Sequence, residues 1–287
     1  MAYFLGIDAG GSHCRSRLID SDGRVLGTGE TGPANARVGL ELLHATLADA
    51  ARQAIDAAGL DEPNVAAIRA GMGVAGISRH GVREELERLD FGFASVRFET
   101  DAVIANIGAH DGEDGATLII GTGSIAQVRL EGKSFAIGGY GFPISDEGSG
   151  AALGLSAMRH ALRALDGRTK PTPLSAAVTA AFGHETARAI AWMDAASPRD
   201  YGSYAPVVMD YAEAGDEIAR AIVEDAARHI EQFLETIFAR GAPACALAGG
   251  LAPRMRPWLK ARTVARLREP RGDALDGALR LAGYRRA

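Results

Sequence analysis

Three glycine-bearing stretches and a few acids at the ends of apolar runs carry the chemistry this sequence can offer. The first stretch is Asp8-Ala9-Gly10-Gly11-Ser12, which follows the apolar run Phe4-Leu5-Gly6-Ile7. A strand that stops at an acid and turns on two glycines delivers one carboxylate and several free backbone N–H groups to one point. Glycine also lets a polyanion approach the main chain closely. Asp8 is suited to hold Mg²⁺ through its waters, because this ion keeps several waters and takes only one or two carboxylates directly. Gly10, Gly11 and Ser12 can then donate to phosphate oxygens. An ordinary β-hairpin uses the same residue types, so on this stretch alone both readings stand. The second stretch, Gly121-Thr122-Gly123-Ser124, ends an apolar strand expected at 116–120. It echoes the first in its order of strand, glycine turn, hydroxyls and hairpin, which suggests a duplicated architecture with one phosphate loop in each half. The third, Gly249-Gly250, follows a strand expected at 244–248 and leaves a flat surface on which a purine ring can lie. Close helix packing would need the same glycines.

Asp101 follows a strand expected at 96–99, and a carboxylate at the carboxyl end of such a strand faces the ligand crevice of an open α/β sheet. It is the general-base candidate; capping the helix that follows is the alternative. Asp146 and Glu147 sit among small residues in Ile144-Ser145-Asp146-Glu147-Gly148-Ser149-Gly150. Two acids there suit a sugar, whose hydroxyls need acceptors, and capping of a helix at 151–165 accounts for them equally. Asn35, in Gly32-Pro33-Ala34-Asn35, can bond a polyol or serve as a turn residue.

The elements that must position these residues alternate. After the first turn the pattern predicts strands at 14–20 and 25–30, joined by Ser21-Asp22-Gly23. Leu40, Leu43, Leu47, Ala51 and Ile55 then predict an amphipathic helix over 39–58, stopped by Gly59. A buried strand at 65–74, a short helix at 83–89, the strand at 96–99 and a helix from Asp101 to Ala109 complete an α/β half. Strands at 116–120 and 126–130 and the helix at 151–165 open the second half. From 172 to 235 the pattern is mainly helical, with breaks near Gly183-His184, Ser197-Pro198 and Ala214-Gly215. A helix over 216–241 precedes the strand at 244–248, and a last helix starts at Asp273, where Gly277 and Ala278 permit tight approach to another element. Trp192, Met193 and Phe233 read as core residues.

The 287 residues, 47% of them hydrophobic, suffice for one large or two ordinary domains, and two lobes are expected. A net charge of −5 with scattered Lys and Arg argues against nucleic acid, which requires a basic stripe. Arg285 and Arg286 read as solvated chain-end charges. Cys14 and Cys245 are far apart and in no C-x-x-C pair, which supports neither a disulfide framework nor a zinc or iron–sulfur site and fits a reducing cytoplasm. No signal-peptide pattern and no run of 18 apolar residues occurs, so a soluble protein without a membrane segment is expected. No His pair stands at metal-helix spacing, and the P-loop, G-x-G-x-x-G and G-x-S-x-G patterns do not occur.

Taken in order, Asp8-Ala9-Gly10-Gly11-Ser12, Asp101, Gly121-Thr122-Gly123-Ser124, Ala248-Gly249-Gly250 and Asp276-Gly277-Ala278 resemble five motifs of the sugar kinase, Hsp70 and actin superfamily: phosphate-1, connect-1, phosphate-2, adenosine and connect-2. Within it the chain is similar to the BadF/BadG/BcrA/BcrD group. Gly32-Pro33-Ala34-Asn35, Phe142-Pro143 with the acidic loop that follows, and Pro198-Arg199-Asp200-Tyr201-Gly202 resemble the bacterial glucosamine and N-acetylglucosamine kinases. The resemblance spans nearly the whole chain. It implies a duplicated, two-lobed α/β fold of the actin-like, ribonuclease H-like kind, with ATP in the interlobe cleft. The N-terminal lobe would be 1–112 plus about 275–287, and the C-terminal lobe 113–274.

It also implies roles. Asp8 organises Mg²⁺, while Ser12 with the Gly10 and Gly11 amides holds ATP phosphates. Gly121, Thr122, Gly123 and Ser124 hold them from the other lobe, and Gly249 and Gly250 flank adenine. Asp101 takes the proton of the sugar 6-hydroxyl, Asn35 and Asp146 bond sugar hydroxyls, and Glu147 can face an ammonium group. A homodimer is the family expectation. The alternatives are an activator ATPase of the acyl-CoA dehydratase and reductase systems, a ROK-type sugar-sensing repressor, and an actin-like filament subunit. The first uses a bridging iron–sulfur cluster, against which two distant cysteines speak. For the second, neither a DNA-binding domain ahead of the nucleotide motif nor a Cys-rich zinc loop is read.

Overall fold

The computed structural model describes residues 2–11 and 13–285, so Ser12 and Arg286 lie outside the described residues. The chain divides into two compact units, Met1–Gly115 with Glu269–Ala287, and Ala116–Arg268.

The first unit opens as the meander its turns predict, β1 (Tyr3–Ala9), β2 (Cys14–Asp20) and β3 (Val25–Thr31). Helix α1 (Leu40–Ala58) buries Leu43, Leu47, Ala50, Ala51 and Ala54 at helical spacing and ends on Gly59, whose φ of 64° only glycine adopts at little cost. The strand expected from 65 starts later. Asp61 caps a single helical turn, α2 (Glu62–Val65), and the strand β4 is Ile68–Val74. A short α3 (Val82–Leu86), β5 (Ser95–Glu99) and α4 (Asp101–Ala109) follow. The sheet runs β3-β2-β1-β4-β5, antiparallel through the meander and parallel from β1 to β4 to β5.

The second unit contains β6 (Gly115–Ile120), β7 (Ser124–Leu130) and β8 (Lys133–Gly138). Sequence reading missed β8 because its residues are polar or half-exposed, with only Phe135 and Ile137 packed on the core. Helices α5 (Gly150–Leu165), α6 (Pro173–Ala180), α7 (Thr186–Ala195), α8 (Pro198–Gly202), α9 (Ala205–Glu213) and α10 (Glu217–Ala239) come next. Strand β9 (Cys245–Ala248), α11 (Ala252–Met255) and α12 (Ala261–Val264) complete the unit, whose sheet order is β8-β7-β6-β9. Its core is built on α10, which buries Ile222, Val223, Ile230, Phe233, Leu234 and Ile237. Phe233 is core, Trp192 packs on the core from a half-buried position, and Met193 is not core: it is 52% exposed, since α7 buries only Ala189.

The chain returns to the first unit as α13 (Ala274–Leu281), opened by a reciprocal capping box between Asp273 and Asp276. It packs on α4 at backbone distance. A Cβ added to Gly277 would lie 1.8 Å from the Ile104 carbonyl oxygen, and one on Gly108 would lie 1.9 Å from that of Asp273. No helix among the described residues is long and apolar enough to cross a membrane.

Candidate active site

In the first unit the parallel strands end together: Ala9 pairs with Val74, and Gly73 with Glu99. Asp8 therefore stands at the carboxyl edge of the sheet, and α4, starting directly after β5, brings Asp101 to the same edge. Thr100 caps α4, its Oγ1 accepting from the Val103 N–H at 3.1 Å. Capping thus does not account for Asp101, which is the first helical residue. Burial pushes its carboxyl above the ordinary carboxylate range; the N–H of Ala102 pulls the other way, and the negative charge of Asp8 adds to the upward shift. The two acids are electrostatic neighbours. Arg15 Nη2 donates to Asp8 Oδ2 at 2.7 Å, from the position directly opposite on β2.

The loop carrying Asn35 is stitched to this edge. Ala34 N–H donates to the Gly10 carbonyl at 3.0 Å, Ala36 N–H to that of Ala75 at 3.0 Å, and Ala75 N–H to that of Ala9 at 2.9 Å. Asn35 Oδ1 accepts from the Arg37 N–H at 2.8 Å and caps a short 3₁₀ turn, Ala36–Val38. The turn role predicted for Asn35 uses its oxygen; its Nδ2 carries two further donors.

In the second unit three separate segments meet at the end of β6. The turn closes by Gly121 N–H to the Gly123 carbonyl, 2.9 Å. The first residues of α5 clasp it: Gly150 N–H reaches the Gly121 carbonyl at 2.8 Å and Ala151 N–H that of Thr122 at 3.0 Å. After β9, Leu251 N–H donates to the Ile120 carbonyl at 3.0 Å. Gly249 has φ 91°, and a Cβ there would lie 2.4 Å from Ile120 O, so this turn fits only as glycine.

Ser149 caps α5, its hydroxyl accepting from Ala152 N–H at 3.2 Å, so capping does not account for Asp146 and Glu147 either. Asp146, at φ 67°, packs on the turn: its Oδ1 accepts from Ser124 N–H at 3.4 Å. Glu147 Oε2 accepts from Ser145 Oγ at 3.1 Å, and its carbonyl from Ser124 Oγ at 2.7 Å. Ser124 is buried with its amide and hydroxyl both engaged inside the unit, whereas Thr122 is exposed.

A cavity of about 310 Å³ opens beside this junction, lined by Thr122, Gly202, Ala205, Met209, Gly250 and Leu251 among others. Sequence reading did not place α8 and α9 at a site; the only signal was Pro198-Arg199-Asp200-Tyr201-Gly202. Arg254 closes the rim, tied to Asp210 at 2.8 Å and Glu213 at 2.9 Å.

The glycines separate by cause. Of the 36 in the sequence, Gly11, Gly32, Gly121 and Gly250 alone have neither a positive φ nor, among the described residues, any atom within 4 Å of an added Cβ. The protein does not need glycine at these four positions. They fall in the turns after β1, β6 and β9 and in the Asn35 loop.

An α/β pair of units whose central strands end in such turns is the architecture of the actin-like sugar kinases. The chain belongs to the BadF/BadG/BcrA/BcrD ATPase family, whose profile matches residues 5–279. It is 37% identical over 283 residues to glucosamine kinase GspK of Vibrio cholerae, covering 99% of this chain and 96% of that protein. The N-acetylmuramic acid/N-acetylglucosamine kinase of Clostridium acetobutylicum is 29% identical, covering 80% of this chain and 77% of the other. A crystal structure from Chromobacterium violaceum, solved as an N-acetylglucosamine kinase candidate, superposes with a TM-score of 0.91 at 32% identity, over 98% of this chain and 99% of that one.

Proposed function

We propose that this protein is an ATP-dependent amino-sugar kinase that phosphorylates the 6-hydroxyl of glucosamine or N-acetylglucosamine. The observation that carries the reading is Asp101: an acid not used for capping, raised by burial and set beside Asp8, is the base that activation of a sugar hydroxyl requires. The sugar oxygen attacks the γ-phosphorus while the bond to the β–γ bridging oxygen breaks; the proton passes to Asp101 and ADP leaves. Positioning and charge do most of the work in such a transfer, and the base contributes about 10²–10⁴-fold.

The remaining residues divide the labour. In the first unit Gly11 and Ser12 hold phosphate oxygens; Gly10, expected to donate its amide there, commits its N–H to the His13 carbonyl at 2.9 Å and serves the turn instead. Thr122 and Gly123 hold these oxygens in the second, where the Gly121 N–H closes the turn and Ser124 fixes it from behind. The purine ring lies on Gly249 and Gly250 against Ala205 and Met209. Asn35 and Asp146 bond sugar hydroxyls. The donor set fits Mg²⁺: Asp8 offers carboxylate oxygen beside a second acid, and this ion takes one or two carboxylates while keeping several waters. Held by Asp8, the ion would neutralise phosphate charge.

The names of the relatives support an amino-sugar substrate, and identity with GspK favours glucosamine first. A carboxylate such as Glu147 suits a free ammonium; an acetamido group needs an apolar wall. The activator ATPase reading is disfavoured by the cysteines. Both are buried, and burial pushes Cys14 to about 11 and Cys245 to about 12, which suits packing and not cluster ligation.

The test is ATP consumption with Mg²⁺ and no sugar, glucose, glucosamine or N-acetylglucosamine, the product identified by mass. ADP formation that depends on an amino sugar is expected. ADP release indifferent to every sugar would overturn the reading in favour of an activator.

A further inference from the structure

Strand β5 ends the sheet of the first unit, so one of its edges has no neighbouring strand. A cavity of about 470 Å³ lies against it and touches Val96, Arg97, Phe98 and Glu99 in succession. Side chains alternate between the two faces of a strand, so a cavity that meets four consecutive residues runs along the edge itself. The Phe98 carbonyl accepts from Arg83 Nη1 at 2.6 Å, a donor outside the sheet, which puts this carbonyl on the free side. By the same alternation the N–H and C=O of Val96 point there too. Arg83 covers one end of the row and leaves the rest open. The walls give the groove its chemistry. Leu89, Phe91 and Phe93 form an apolar side, the two phenylalanine rings stacked at 6.4 Å. Glu87 and Asp90 line it as well, and Asp90 accepts from the Gly92 N–H at 2.8 Å without a cation among the described residues. The stretch 82–90 carries four acids against two arginines, so the groove is negative.

We propose that the free edge of β5 docks an extended, basic peptide segment of another protein, which adds to the sheet as a further strand. Main-chain pairing with Val96 sets the register. An apolar side chain of the segment settles on Phe91 and Phe93, and Lys or Arg side chains meet Glu87 and Asp90. Strand β5 leads through Thr100 directly into Asp101, so the added strand lies beside the segment that carries the acid proposed as base.

The test measures binding and needs neither ATP nor sugar, so it stands apart from the kinase reading. The probe is a fluorescently labelled Lys-Val-Lys-Val-Lys-Val peptide, read by anisotropy against the whole protein. Hydrogen exchange at the Val96 and Phe98 amides should slow when the probe is added. Val96→Pro removes an outward N–H at an edge position that tolerates proline, and should weaken binding about tenfold. Methylating alternate amide nitrogens of the probe spares its side chains and leaves the protein unaltered, and should weaken binding as much. Glu87→Gln with Asp90→Asn should weaken it about threefold and flatten its dependence on salt. Absence of binding, or binding that survives both Val96→Pro and methylation of the probe, would overturn the proposal. So would self-association of the protein that Val96→Pro abolishes, which would give the edge to a second copy of this chain.

Discussion

Asp101 shows how one residue can serve function against stability. Its folded-state pKa lies above the unfolded value, so the fold favours the protonated form. The resulting destabilisation is absent below the unfolded pKa and is fully present once pH exceeds the folded one. At neutral pH the protein carries this cost, and the proposed role of Asp101 as base would account for it. Asp101→Asn should therefore lower kcat by about 10²–10⁴-fold and raise the melting temperature at pH 7, a gain that vanishes in acid. Retained turnover would remove Asp101 from the mechanism. In the wild type the acid limb of kcat/KM should sit above the ordinary carboxylate range, which a pH profile reads directly. The four unforced glycines make a complementary prediction. Gly11→Ala and Gly121→Ala should melt within about 0.5–1 kcal/mol of wild type, the ordinary Gly/Ala difference, yet lose nucleotide affinity in calorimetry; unchanged affinity would mean no ligand approaches there. At this scale the site was legible only in part. Asp8, Asp101 and the glycine turns announce themselves by residue type after an apolar run. The Arg15 contact does not, because it is made by register across the hairpin, and the caps fell one residue before Asp101 and three after Asp146, on Thr100 and Ser149.

Elements with a strong period were read almost to the residue, and elements shaped by context were not. Helix α1 was visible in Leu43, Leu47 and Ala51 and in its terminal Gly59, since nothing but burial and a left-handed cap decides its limits. The start of β4 was misplaced because Asp61 and Pro63 make a helical turn from residues that periodicity assigns to no class. The wall formed by α8 and α9 was invisible, its placement at the β6 turn being a tertiary contact. Helix α13 shows what element packing demands. Its backbone meets that of α4 with no room for a methyl group on Gly277 or Gly108, and a Cβ added to Gly71 of β4 would lie 2.1 Å from the Ala278 carbonyl oxygen. Gly277→Ala must force the helices apart and should cost about 1–3 kcal/mol in denaturant unfolding. Full stability in that variant would contradict backbone contact between α13 and α4.

The two units have separate cores, and the first is discontinuous in sequence. One face of its sheet packs Leu5, Ile7, Met72 and Leu43; the other places Phe4 and Ile19 against Leu279, Ala282 and Tyr284. The second unit's core draws only on residues within 116–268. A chain cut after Arg268 should therefore keep a protease-resistant segment near 116–268 and lose protection over 1–115, as mass mapping of limited digestion would show; equal protection of both would refute the division. The same discontinuity sets a schedule on the ribosome. A nascent chain emerges from its N-terminus, so the inserted unit is complete while the sheet before it still lacks α13. Asp8 and Asp101 are settled into their edge only after residues 274–281 have emerged. A stalled chain can thus carry a folded second unit while the sheet edge bearing Asp8 and Asp101 still lacks the helix that packs against it.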